Sequence, residues 1–112
     1  MSGNAGTVKA AARVRTAVRA AVRGGQLGEL PAGLKVGVRS GVDAIYIEIE
    51  GAPADWAVTV EPDEDHPYRH SVGSLEACAL ATDLMNLACA RPPGRSVFVM
   101  LGVSGSSSIR LA

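Results

Sequence analysis

Apolar positions fall at three- and four-residue spacing near the start of the chain, switch to alternation after residue 33, and return to helical spacing near residue 75. Ala11, Val14, Val18, Ala21 and Val22 form one stripe. This spacing predicts an amphipathic helix over residues 7–23, with Thr7 as its N-cap and Gly24-Gly25 as its stop. Residues 26–33, with their glycines and Pro31, read as a connector. Leu34, Val36 and Val38 alternate with Lys35, Gly37 and Arg39. After the turn residues 40–43, Ile45, Ile47 and Ile49 alternate with Tyr46, Glu48 and Glu50. Both segments read as half-exposed strands. Gly51 and Pro53 break the second, and Trp56, Val58 and Val60 predict a third strand of an antiparallel meander.

A polar stretch from Glu61 to Gly73 follows. Ser74 is placed to cap a second helix running from Leu75 to about Ala90, with Glu76 in the first turn to suit its dipole. Leu80, Leu84, Leu87 and Ala88 share a face, and Ala77, Ala79 and Ala81 thin it for close packing. Pro92-Pro93-Gly94 ends the helix. Val97, Val99, Leu101 and Val103 make one face of the next strand, and Phe98 and Met100 make the other face apolar too, which predicts a central position. Residues 104–108 turn the chain into a short last strand, Ile109 to Leu111. The order α-β-β-β-α-β-β predicts a two-layer α+β fold, with two helices on one face of an antiparallel sheet of four to five strands. Residues 1–6 are expected to be a flexible N-terminus and residues 7–112 a single domain.

The chain has 112 residues, enough for one domain with a real core. No apolar run reaches the roughly 18 residues of a membrane span, and the absence of a hydrophobic leader predicts a chain without a signal peptide. Cys78 and Cys89 lie eleven residues apart on one helix. Their Cα atoms would be about 16 Å apart along the axis, too far for a bridge. They are expected to be buried thiols in a cytoplasmic protein.

Formal net charge is zero, yet residues 1–41 carry +6, residues 42–85 carry −9 and residues 86–112 carry +3. This segregation changes the picture from a neutral chain to one with a basic head and an acidic middle. On the first helix Arg15, Arg19 and Arg23 lie one turn apart, with Lys9 and Arg13 on the other flank, a row able to follow phosphates. The segment Pro62 to His70 gathers Asp63, Glu64, Asp65, His66, Tyr68, Arg69 and His70. Acidic and imidazole groups together suit a partner contact, a divalent metal or proton transfer. Pro67 opposes a helix that would align His66 with His70, and no third histidine exists, so neither metal nor cofactor is expected. Gly102-Val103-Ser104-Gly105-Ser106 lacks the last glycine of a nucleophile elbow and reads as a hairpin turn. Trp56, Tyr46 and Tyr68 are too scattered in sequence to predict a base-stacking surface.

The Val-Arg pairs of the first helix lead into Leu34-Lys35-Val36-Gly37-Val38-Arg39-Ser40, then Ile45-Tyr46-Ile47-Glu48-Ile49 and Gly51-Ala52-Pro53. Over residues 8–57 this resembles a large polyvalent protein-associated domain of phages and conjugative elements. Ala52 interrupts that family's Gly-Pro step, and Gly37 stands where a serine is expected. The resemblance implies a mobile-element accessory protein acting by binding, with no catalytic residue carried over. The helix and strand order is also similar to that of the double-stranded RNA-binding domain, but Ser74-Leu75-Glu76-Ala77 stands where that family places its lysines. The expectation is a small non-enzymatic module that binds and modulates a host protein complex through the acidic segment. A nucleic-acid binder using Arg13, Arg15, Arg19 and Arg23 is the alternative, and a metal-dependent or acid/base enzyme using His66 and His70 is a further one. Zero net charge also permits association with a second copy.

Overall fold

The computed structural model describes residues 3–89, 96–103 and 108–112. Helix α1 (Gly3–Arg23) is followed by β1 (Lys35–Ser40) and β2 (Ala44–Ala52). A 3₁₀ turn (Ala54–Trp56), β3 (Ala57–Val60) and β4 (His70–Gly73) come next. Helix α2 (Leu75–Cys89), β5 (Ser96–Val103) and β6 (Ile109–Arg110) complete the chain. The α+β class and the two-layer arrangement stand. Ala10, Ala11, Val14 and Val18 of α1 and Leu80 and Leu84 of α2 are buried in one core with Ile45, Ile47, Ile49, Val99 and Leu101 of the sheet.

Three expectations are corrected. The main sheet has the order β1-β2-β5-β6. It is mixed rather than antiparallel: β1 and β6 pair antiparallel with their neighbours, while β2 and β5 run parallel, with Tyr46 opposite Phe98 and Ile47 opposite Val99. Parallel neighbours need a long crossover, and the segment holding α2 supplies it. The third strand does not extend a meander. It leaves the main sheet and pairs with β4 in a separate two-stranded sheet, Val58 opposite Val72 and Val60 opposite His70. Strand β4 was hidden within the polar stretch because His-Ser-Val-Gly carries a single strongly apolar residue. Finally, Thr7 is not an N-cap. The helix is already formed at Gly3, and Thr7 is fully buried, donating from Oγ1 to the Val42 carbonyl at 3.0 Å. That bond satisfies a hydroxyl that would be costly to bury alone and ties α1 to the β1–β2 turn.

Ser74 caps α2 as its sequence suggests, accepting the Ala77 N–H on Oγ at 3.2 Å. Trp56 is buried at the foot of the β3–β4 hairpin, and its carbonyl accepts the Ser74 N–H at 2.8 Å. Strand β5 is central, between β2 and β6. The residues of the proposed turn at 104–107, and Pro92-Pro93-Gly94, lie outside the described residues.

Candidate functional site

The hairpin β3–β4 carries the acidic segment at its tip. Its root is fixed by Trp56 and by Gly73, where Leu111 and Ala77 pack so closely that a Cβ would strike Leu111. Beyond the root it is exposed. Val58 and Val72 are partly open to solvent although strand pairing sets them side by side, and every residue from Glu61 to Arg69 is exposed, Tyr68 at 80%. The tip has internal order. Asp63 accepts the His66 N–H on Oδ1 at 2.7 Å, and the His66 carbonyl accepts the Asp63 N–H at 2.8 Å. Arg69 grips Glu61 with two parallel bonds of 3.0 and 3.2 Å. This turn brings the His66 and His70 rings to 5.2 Å between centroids without any helix. Among the described residues, Glu64 and Asp65 have no hydrogen-bond or ion-pair partner.

The basic row on α1 is divided. Arg15 donates from Nη2 to the Val38 carbonyl at 2.7 Å, half-buried against β1. Arg13 borders a shallow groove beside Thr16 and Ala20, whereas Arg19 and Arg23 edge a different groove of about 550 Å³, floored by Val18, Val22 and Leu34 and shared with Lys35. The helix therefore does not offer one continuous phosphate track. Among the described residues, no ion pair joins α1 to the acids of the tip: the pairs present are Arg39–Glu48, His66–Asp63 and Arg69–Glu61.

A third surface was not legible in the sequence. Both helices cover the Ile45, Ile47 and Ile49 face of the main sheet. The opposite face presents Arg39 from β1, Tyr46 from β2, Phe98 from β5 and Arg110 from β6. Tyr46 and Phe98 stack at 5.6 Å with 25° between planes. The Arg39 guanidinium lies 4.4 Å from the Tyr46 centroid and that of Arg110 lies 4.6 Å from the Phe98 centroid. Tyr46 and Phe98 are 52 positions apart, so only the parallel pairing of β2 with β5 unites them. The available signal was that Phe98 and Met100 share the outward parity of their strand.

Among the described residues no group of three histidine, cysteine or acidic side chains could hold a metal ion, and no helix is long and apolar enough to cross a membrane. Cys78 is exposed rather than buried, its thiol 3.7 Å from the Gly73 carbonyl, because it sits on the flank of α2 next to the hairpin root. The Cys89 side chain lies outside the described residues. No family model, curated protein or solved structure matches the chain.

Proposed function

We infer that the chain is a non-enzymatic binding module that docks on a basic surface of a protein partner through the tip of its β3–β4 hairpin. The observation that carries this reading is the net-acidic, exposed tip. Four acids and one arginine lie from Glu61 to Arg69, all exposed; the arginine pairs with Glu61, and among the described residues none of the acids pairs with the basic helix. A charged, projecting hairpin steers encounter with a surface of opposite sign and sets orientation. Tyr68, with its ring exposed beside the acids, supplies the kind of aromatic anchor that dominates interface energetics. The resemblance of residues 8–57 to a domain of phage and conjugative-element proteins supports proposing a mobile-element setting, with a host complex as the partner. The wider basic-head reading loses support because Arg15 is committed to the fold.

The test is quantitative affinity capture from host lysate with three baits: the native chain, Asp63→Asn/Glu64→Gln/Asp65→Asn, and Tyr68→Ala. A partner held by the native chain, depleted at least about tenfold by both variants and released by raised salt, is the expected result. Capture that is equal for all three baits overturns the reading.

A further inference from the structure

We propose that the outer face of the main sheet binds single-stranded nucleic acid, by stacking of bases on the arginines that end the Arg39–Tyr46–Phe98–Arg110 ladder. This inference is independent of the hairpin. Two stacked rings occupy the two central strands and a guanidinium lies over the outer face of each, 4.4 Å and 4.6 Å from the ring centroids, so the ladder meets a ligand at its two arginine ends. Single-strand recognition uses such parts: unpaired bases stack on guanidinium groups, whose donors also reach phosphate, and here the two rings beneath hold the arginines in place. Arg110 is exposed and has no ion pair among the described residues, so its outer plane and its donors are both available. Arg39 is shared with Glu48 at 3.5 Å, and Lys35 stands exposed opposite Glu50. Gly37, with no atom within 4 Å of where its Cβ would be, leaves room over β1 beside the ladder.

The charge balance selects single strands over duplex. Lys35, Arg39 and Arg110 are opposed on the same face by Glu48 and Glu50, too few net cations to track a duplex backbone, and a duplex keeps its base faces covered. A second copy of the chain is the competing occupant, since the face carries both signs. Four strands at about 4.8 Å and six residues at about 3.3 Å give a face of roughly 400 Å². That is about half of what each partner buries in a standard stable interface. A few stacked bases need far less.

The experiment is fluorescence anisotropy with labelled dT12, rU12 and a 12-base-pair duplex at 50 and 200 mM salt. The single strands should bind, and the duplex at least about tenfold more weakly. With two phosphate contacts the salt exponent is about −1.4, so affinity should fall only about sevenfold over that range. Arg110→Ala and Phe98→Leu should each weaken binding about fivefold or more. Glu48→Gln, which frees Arg39 and removes a like charge from the phosphates, should tighten it about two- to threefold. Arg19→Ala/Arg23→Ala should leave it unchanged. Emission of buried Trp56 monitors folding of Phe98→Leu, and Arg110→Ala alters an exposed side chain only. Absence of binding to either single strand at 50 mM salt overturns the proposal. So does preferential duplex binding lost in Arg19→Ala/Arg23→Ala, or a concentration-dependent dimer in sedimentation that Arg110→Ala dissociates.

Discussion

Replacing Gly51 by alanine tests how the sheet is held to the connector. Gly51 lies where the pairing of β2 with β5 shifts register, between Ile49 and Ala52, with φ at 71°. An alanine in that left-handed region costs about 1–2 kcal/mol. Its Cβ would also run into the Gly33 carbonyl oxygen, a backbone atom that cannot swing aside. Overpacking of this kind adds about 1–3 kcal/mol, so Gly51→Ala should lose about 2–5 kcal/mol. Gly37→Ala is the matched control on β1, with ordinary φ and open space around its Cβ; it should be neutral or gain up to about 1 kcal/mol. Urea unfolding followed by Trp56 emission reads both. With a slope near 1.5 kcal/mol/M, a 3 kcal/mol loss moves the midpoint by about 2 M. Gly51→Asn separates the two terms, because asparagine tolerates the left-handed region yet keeps the Cβ, and it should remain at least about 1 kcal/mol less stable than the native chain. A Gly51→Ala midpoint within about 0.3 M of native, or an equal loss in Gly37→Ala, refutes the reasoning.

Arg15→Met should destabilise by about 1–2 kcal/mol in the same unfolding assay, since it removes a charge-assisted bond to the Val38 carbonyl but keeps the stem, while Arg19→Ala should stay within about 0.5 kcal/mol. Leu84→Ala, at a fully buried position facing the sheet, should cost about 3–4 kcal/mol and lower Tm by more than 10 °C in a thermal melt. Replacing residues 61–69 by Asn-Gly closes the hairpin directly on the Val60–His70 pair. It should change stability by less than about 1 kcal/mol and leave the circular dichroism of the main sheet intact, because every residue removed is exposed.

Where a feature rested on local period, the residues disclosed it. The stripe on α1, the isoleucine face of β2 and the Ser74 cap follow from spacing alone, and each is present, save that Val22, expected in the stripe, is exposed at the end of the helix. What escaped was non-local. The alternation in β2 and β5 tells which side chains share a face but not which strand is the neighbour or in which direction it runs. The meander expected from Trp56-Val58-Val60 assumed that a strand joins the sheet of the one before it, and the chain instead pairs it forward with His70–Gly73. The exposed acids of the tip were legible because charge clustering is a property of sequence. The aromatic ladder was not, because its four members come from four strands. Thr7 follows the same logic: a threonine before an apolar stripe suits a cap, and only the position of the Val42 carbonyl across the fold reveals its other use.

The parallel pairing of β2 with β5 accounts for both candidate surfaces at once. It brings Phe98 beside Tyr46, and it obliges the chain to return across the sheet before β5 begins. Helix α2 has 15 residues, about 22 Å of rise, and β5 has eight, about 26 Å. The helix alone therefore nearly spans the return path, covering the inner face as it goes, and among the described residues no helix lies over the outer one. Of the segment between β2 and α2, the fold uses only the root: Trp56 enters the core, Gly73 fits beneath Leu111, and the Trp56 carbonyl holds Ser74. The remainder of the hairpin is surplus to the crossover. It buries little, as Val58, Val72 and the whole tip are exposed, so its ordering entropy is not offset by core burial. A projecting arm of that kind contributes little to the stability of the domain, and among the described residues its Glu64 and Asp65 have no ion-pair partner.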